Sequence, residues 1–134
     1  MPTFQLEIVT PEKTVYSGEV NSLRAPGTEG GFGVLAGHHP MLSSLRIGEL
    51  VFSAGDEGPK SVAIGGGFAE VQRDRVTVLA ETAEFAQDID VNRAEAARDR
   101  ARELLARRRE QQIDEARATL ALARAVNRLR IGVQ

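Results

Sequence analysis

The hydrophobic period of the sequence changes once, close to residue 90, and this change predicts two modules of different architecture. Before it, short runs such as residues 4–9 and 76–81 alternate with the period of two that strands show. After it, apolar residues recur every three or four positions, as they do in helices. The charge changes at the same place: residues 1–90 hold six basic and thirteen acidic side chains, whereas residues 91–134 hold eleven arginines and six acidic side chains. We therefore expect two domains, residues 1–86 and residues 87–134.

The first module is predicted to be an antiparallel β-sandwich or a flattened barrel. Its apolar runs are five to eight residues long, closely spaced and separated by Gly, Pro and Asp, which is typical of both architectures. Three consecutive glycines at residues 65–67 separate the runs KSVAIG and GFAEVQ. Because glycine has no side chain to pack in a strand, the triplet predicts a close crossing of two strands or a bulge.

The second module is predicted to be an antiparallel hairpin of two helices. Alanine and arginine, both strong helix formers, dominate it, and no proline follows residue 91. Asp90 is a good N-cap, and the apolar-free segment RRREQQ predicts a turn at residues 109–112. The expected facing stripes are Ala94, Ala97, Ala101, Leu104 and Leu105 on the first helix, and Ile113, Ala116, Leu120, Ala123 and Val126 on the second. Since alanine methyls bury little apolar area, we expect a marginally stable hairpin that is able to open.

The sequence lacks the residue patterns of catalytic and metal sites. The loop RAPGTEGGFGVLAGHHP, residues 24–40, has no lysine or hydroxyl residue at the closing positions of a phosphate-binding P-loop. Its two histidines, His38 and His39, have no cysteine or acidic cluster nearby that completes a metal shell. We interpret the loop as packing and surface-contact residues, and we expect no enzymatic activity and no required cofactor.

Composition limits the compartment and the partners. The chain has no cysteine, so we expect neither disulfides nor a thiolate metal site. Its first residues do not form a signal peptide, and no apolar run approaches the length of a membrane span. We therefore expect an intracellular protein that does not insert directly into a membrane. The acidic first module would repel a phosphate backbone, which argues against a nucleic-acid partner.

Residues 25–50, APGTEGGFGVLAGHHPMLSSLRIGEL, closely resemble the epsilon subunits of F-type rotary ATP synthases, whose hallmark is G-x-E-G-x-x-G-[IV]-L-x-G-H-x-P. The resemblance continues through GGGFAEVQRDRVTVLAETAEFAQDID into ALARAVNRLRIG, and so covers the chain in order. It implies an N-terminal β-sandwich of about ten strands and a C-terminal two-helix hairpin. It also implies a non-catalytic rotor subunit of the central stalk, bound peripherally at the cytoplasmic face of the cell membrane.

The resemblance also implies the partners. In that family the sandwich binds the gamma subunit and the membrane c-ring, and so couples proton-driven rotation to ATP synthesis. The helical arm contacts the alpha and beta catalytic subunits and inhibits ATP hydrolysis. Residues 27–33 and 38–42 are then contact loops toward gamma and the c-ring, with Glu29, Gly33, His38, Pro40, Met41 and Leu42 as the contact residues. Many relatives have an acidic residue where this chain has Gly31, so we expect one charge contact to the ring to be missing.

Arginines recur at helical spacing in the second module. Arg93, Arg100 and Arg107 lie seven residues apart on one helical face, and two more lie four residues apart at 124 and 128. In a folded hairpin these guanidinium groups converge, and they would repel one another without an anion whose oxygens they bind. The segment IDVNRA matches the motif of epsilon subunits that bind ATP as a regulatory ligand. The resemblance thus implies an ATP site formed by Glu84, Asp90, Arg93, Arg100, Arg124 and Arg128.

The same charges have a simpler interpretation. Oppositely charged residues three or four apart are typical of a solvated helix with surface ion pairs, and Asp90 then only caps that helix. The pairs would be Glu95 with Arg98, Asp99 with Arg102, and Glu103 with Arg107. Without the resemblance, two function classes stay open: a β-sandwich interaction module with a helical arm, and a small enzyme or nucleotide sensor that uses the arginines.

Overall fold

The computed structural model describes residues 2–107 and 114–132. Its strands are β1 (Phe4–Val9), β2 (Thr14–Val20), β3 (Ser22–Ala25), β4 (Phe32–Leu35), β5 (Met41–Ser53), β6 (Lys60–Val71), β7 (Arg75–Ala80) and β8 (Ala83–Phe85). One turn of 3-10 helix, Ala86–Asp88, leads to helix α1 (Val91–Ala106), and helix α2 spans Glu115–Gly132. The turn predicted at residues 109–112, and Ile113 of the second stripe, lie outside the described residues.

The strands form one mixed sheet. Their order is β2-β1-β7-β6-β5-β3-β4, and β8 pairs with β6. The pairs are antiparallel except that of β1 and β7, which run parallel. The expectation of a purely antiparallel sheet was therefore wrong at this pair. More than sixty residues separate the two strands, so no tight hairpin forces them to be antiparallel, and alternation of residues carries no information on strand direction.

Strand β6 passes straight through the glycine triplet. The two runs that the sequence separates at residues 65–67 are therefore one strand, and eight strands are described where about ten were expected. Gly66 and Gly67 have φ angles of +99° and +145°, in a region that side chains other than glycine rarely adopt. A Cβ atom on Gly67 would collide with the carbonyl oxygen of Leu79 in β7. The predicted close approach of two strands at this triplet is confirmed.

The sheet folds over on itself around one core. The ring centroids of Tyr16 in β2 and Phe52 in β5 are 4.5 Å apart. These strands are four places apart in the sheet order, which in a flat sheet would separate them by about 19 Å. Phe85 in β8 completes the aromatic cluster, with its ring centroid 6.2 Å from that of Phe52. The strands thus stack in two layers with their buried side chains between them, and the predicted β-sandwich is confirmed.

The chain divides by its contacts into two compact units, Met1–Phe85 and Ala86–Gln134, which we call the β unit and the helical unit. In the helical unit, Asp90 caps α1 as predicted, because its Oδ1 accepts a hydrogen bond from the backbone N–H of Arg93 at 3.1 Å. Asp114 caps α2 in the same way. Over the residues described, neither helix combines the length and the apolar character needed to cross a membrane.

The two helices pack through alanine, but not through the stripe expected on α2. Leu120 and Val126 are 52% and 43% exposed, whereas Ala118 and Ala125 are buried. The segment ATLALARAV has apolar residues around most of the helix, so its period does not choose between overlapping stripes. On α1, Ala94 and Ala101 are buried as expected, whereas Leu104 is exposed.

Candidate functional sites

Six arginines of the helical unit lie on one lateral surface of the hairpin, which we call the basic face. In α1, the buried Ala94 and Ala101 mark the side that packs on α2. At about 100° of rotation per residue, Arg93 and the arginines seven and fourteen residues after it lie about 90–130° from that side. Three arginines of α2 lie about 70–110° from the side marked by Ala118 and Ala125. Because the helices run antiparallel, both sets fall on the same surface. The basic face consists of Arg93, Arg100, Arg107, Arg117, Arg124 and Arg128.

The register of the hairpin brings these arginines level across the two helices. Gly132, at the end of α2, packs against Ile89 and Val91 at the start of α1. From that contact, a rise of about 1.5 Å per residue places Arg128 about level with Arg93. The same rise places residue 124 within about 3 Å of the level of residue 100. Four of the six residues that the resemblance implied for ATP therefore share one surface.

The two acidic residues of the implied ATP site have different surroundings. Asp90 is exposed and lies at the start of α1, where its Oδ1 is committed to the capping bond. Glu84 belongs to the β unit, in which it is half-buried on β8 and lies opposite Ala63 of β6. A role of either carboxylate in binding a nucleotide stays a prediction.

The opposite flank of the hairpin carries both signs of charge. Glu95 and Asp99 of α1 lie about 110–150° from the packing side, in the direction away from the basic face. Within the described part of the helical unit, Arg98 pairs with Asp99 rather than with Glu95, and Arg107 of the basic face forms the expected ion pair with Glu103. Positive charge is thus concentrated on one flank, which is the arrangement that attracts an anion.

The two predicted contact loops of the β unit are tied to one strand. The N–H of Thr28 donates to the carbonyl oxygen of Ser44 at 3.0 Å, which fixes residues 27–33 beside the start of β5. Leu42, on the same strand, is 71% exposed. The other contact candidates are exposed at Glu29, Gly33 and Pro40, and half-buried at His38 and Met41. Their contact with other subunits stays a prediction.

The histidines of this region bond within the loop. Nδ1 of His38 lies 2.7 Å from the carbonyl oxygen of His39, and the N–H of His38 donates to the carbonyl oxygen of Leu35. In residues 2–107 and 114–132, no three His, Asp or Glu side chains are placed to hold a metal ion. These contacts support the interpretation of the loop as a structured surface.

The β unit also has an apolar surface that the sequence patterns did not single out. Leu79 of β7 pairs with Val9 of β1 on one side and with Phe68 of β6 on the other. Phe68 and Leu79 are 53% and 54% exposed, and they border an open depression of about 410 Å³ with Pro11 and Glu81. The sequence feature that could have revealed this surface is Leu79, an apolar residue at an outward position in the alternating pattern of residues 76–81. We call Val9, Phe68 and Leu79 the outer apolar face.

Both units match models of one protein family. Residues 3–86 match the model described as ATP synthase, Delta/Epsilon chain, beta-sandwich domain. Residues 87–132 match the model described as ATP synthase, Delta/Epsilon chain, long alpha-helix domain.

Curated relatives match along nearly the whole chain. An ATP synthase epsilon chain from Nitratidesulfovibrio vulgaris strain DP4 is 51% identical over 129 residues, which cover 96% of this chain and 95% of that one. An ATP synthase epsilon chain from Syntrophobacter fumaroxidans is 52% identical and covers 95% of this chain and 93% of that one. Among solved structures, a chain of the Euglena gracilis mitochondrial ATP synthase has a TM-score of 0.79 at 24% identity, covering 100% of this chain and 84% of that one. That structure shows a shared fold.

Proposed function

The chain belongs to the ATP synthase delta/epsilon chain family, and from this premise we propose that it is a central-stalk rotor subunit of a bacterial F-type ATP synthase. The observation that carries the proposal is the match to curated epsilon chains over nearly the whole length, with both domains in the same order. The subunit is non-catalytic. Its β unit couples rotation to ATP synthesis, and its helical unit regulates ATP hydrolysis.

The outer apolar face binds the gamma subunit in this proposal. Its exposed aromatic and leucine side chains form a continuous apolar surface on three adjacent strands, a feature that marks interaction sites in soluble proteins. The two contact loops, which carry the exposed Leu42, bind the c-ring. Assembly on the ring holds the subunit at the cytoplasmic face of the cell membrane as a peripheral protein.

Co-purification tests the assembly role. We expect residues 1–86, expressed with an affinity tag beside the gamma subunit, to fold and to bring down gamma in a stoichiometric complex. The physical reason is that all three aromatic residues of the core cluster, Tyr16, Phe52 and Phe85, lie within this segment, as does the outer apolar face. A folded fragment that leaves gamma in the unbound fraction would contradict the proposal, provided that the full chain brings gamma down.

The basic face binds ATP as a regulatory ligand in this proposal. Planar guanidinium groups form paired hydrogen bonds with phosphate oxygens, and four arginines at two levels of the hairpin suit a chain of several phosphates. Such a ligand relieves the repulsion among these arginines only while the helices lie side by side. ATP therefore favours the closed hairpin. When the hairpin opens, the arm extends toward the alpha and beta subunits and inhibits hydrolysis.

Calorimetry on the full chain tests the nucleotide site. We expect Arg93→Ala to weaken binding of magnesium ATP by at least about tenfold, because it removes a charge-assisted hydrogen bond. Alanine is the better helix former, so the stability of the nucleotide-free protein should not fall. Arg102→Ala is the matched control, since Arg102 lies on the opposite flank of the same helix. Absence of binding heat and of any thermal shift in the wild type at millimolar ATP would refute the site.

A further inference from the structure

At the end of the hairpin where α1 begins and α2 ends, the backbone of Gly132 lies close against the side chains of Ile89 and Val91. A Cβ atom on Gly132 would lie 3.0 Å from Cγ2 and 3.3 Å from Cβ of Ile89, and 3.4 Å from Cγ2 of Val91. Contacts of 3.0 to 3.4 Å are tighter than nearly all real Cβ contacts, so even a methyl group requires its neighbours to move. Ile89 is 8% exposed. The backbone of α2 thus ends directly against a buried isoleucine that precedes α1.

Away from this end, the apolar side chains that the two helices bury are alanines. The buried residues of α1 are Ala94 and Ala101, and those of α2 are Ala118, Ala125, Asn127 and Ile131. An alanine methyl removes little apolar surface from water, and a buried isoleucine removes considerably more. Ile89 and Ile131 both lie at the end of the hairpin that holds Gly132, so the larger part of the apolar burial described in the helical unit is concentrated at that end.

The same end of the hairpin carries part of the basic face. Arg93 follows Ile89 by four residues, and Arg128 precedes Gly132 by four residues. If the helices separate at this end, these two arginines move apart, and no single phosphate chain can bind both. Closure at Ile89 is therefore a condition for an intact basic face.

We propose that Ile89, Val91 and Gly132 form a latch whose closure sets the fraction of closed hairpin, and that this fraction scales the affinity for ATP. The second half of this inference rests on the proposed nucleotide site. The apparent dissociation constant of a ligand that binds one conformation rises in inverse proportion to the population of that conformation. A change at the latch thus weakens ATP binding without altering any arginine.

Distance measurements on the nucleotide-free chain test the latch itself. The chain has no cysteine, so cysteines introduced at the exposed Ala96 and Ala123 attach spin labels to α1 and α2 alone. We expect Gly132→Leu to shift the population from the short distance of the closed hairpin to longer distances. Adding Ile89→Ala to Gly132→Leu makes room for the new side chain and should restore the short distance. Val126→Leu, on an exposed part of α2, is the control and should change nothing.

Calorimetry with magnesium ATP on the same variants tests the link to the ligand. If Gly132→Leu lowers the closed fraction from about 0.9 to about 0.1, the apparent dissociation constant should rise about ninefold. A closed distance that persists in Gly132→Leu overturns the latch. A loss of closure with unchanged ATP affinity overturns the link. If the wild type binds no ATP, the proposed nucleotide site fails, while the distances still decide the latch.

Discussion

At the scale of single residues, the backbone path of the β unit depends on Gly67. Its φ of +145° lies where residues with a Cβ are strained, and the carbonyl oxygen of Leu79 occupies the space that a side chain would need. The glycine lets β6 and β7 approach one another at the point where their pairing begins, and the pairing then continues to Val71 and Val76. The outer apolar face depends on this approach, because Phe68 and Leu79 are paired across it.

Gly67→Ala should therefore destabilise the protein by at least about 2 kcal/mol, since it combines a strained φ with a backbone collision. Gly58→Ala is the matched control, because a Cβ atom at Gly58 meets nothing within 4 Å. That control should stay within about 0.5 kcal/mol of the wild type. Urea unfolding of the two variants measures both values. If the two variants unfold at equal urea midpoints, β6 and β7 move apart at little energetic cost, and the collision at residue 67 does not govern the stability of the protein.

Predictions for single residues were confirmed where the role of the residue depends only on its immediate neighbours in the sequence. Asp90 precedes the helical period, and a carboxylate at that position accepts a backbone N–H of the first turn whatever the rest of the chain does. The glycine triplet likewise predicted a close approach, because the absence of a side chain is itself the signal. The partner of Arg98 was not predictable in this way, because Glu95 and Asp99 compete for the same flexible side chain.

At the scale of elements, period predicts the type of an element better than the side that it buries. Helix α2 was expected to bury Leu120 and Val126, but both are exposed, and the helix buries Ala118, Ala125, Asn127 and Ile131. An apolar residue lies on nearly every side of this helix, so the packing side is set by α1 and not by the sequence of α2 alone. The direction of a strand is likewise not set by the strand's own sequence. The parallel pairing of β1 and β7 depends on the path of the residues between them.

The outer apolar face gives an element-scale prediction. Leu79→Asp places a charge at a position that is 54% exposed, so folding should change by less than about 1 kcal/mol. Binding of gamma should be lost, because a carboxylate at the centre of an apolar interface loses its hydration without gaining a partner. Leu120→Asp, at a leucine of similar exposure on α2, is the control and should leave the complex intact. The yield of gamma in a pull-down compares the two, and equal yields would place gamma elsewhere.

At the scale of the whole molecule, the two units divide the chemistry between them. The β unit carries the outer apolar face and the contact loops, and the helical unit carries the basic face. The net charge changes sign near the boundary, since residues 1–90 are acidic and residues 91–134 are basic. The change of period and of charge at one place made this division predictable from sequence. Predicting that six arginines lie on one flank requires knowledge of the side through which each helix packs. The packing side of α2 could be known only from the structure.

Removal of residues 91–134 from the assembled ATP synthase should raise ATP hydrolysis and leave assembly unchanged. In the proposed function, the arginines of the deleted segment resist rotation when the arm is extended, whereas the proposed contacts to gamma and the c-ring lie in the β unit. In the intact enzyme, inhibition of ATP hydrolysis should weaken as the ATP concentration rises. The proposed site exists only in the closed hairpin, so bound ATP shifts the population toward that conformation. Arg93→Ala should shift this dependence to higher ATP, and Arg102→Ala should not. Hydrolysis rates across ATP concentrations measure all four enzymes. If deletion leaves the rate unchanged at every concentration, the arm is passive, because an element that does not alter rotation cannot transmit the occupancy of its basic face.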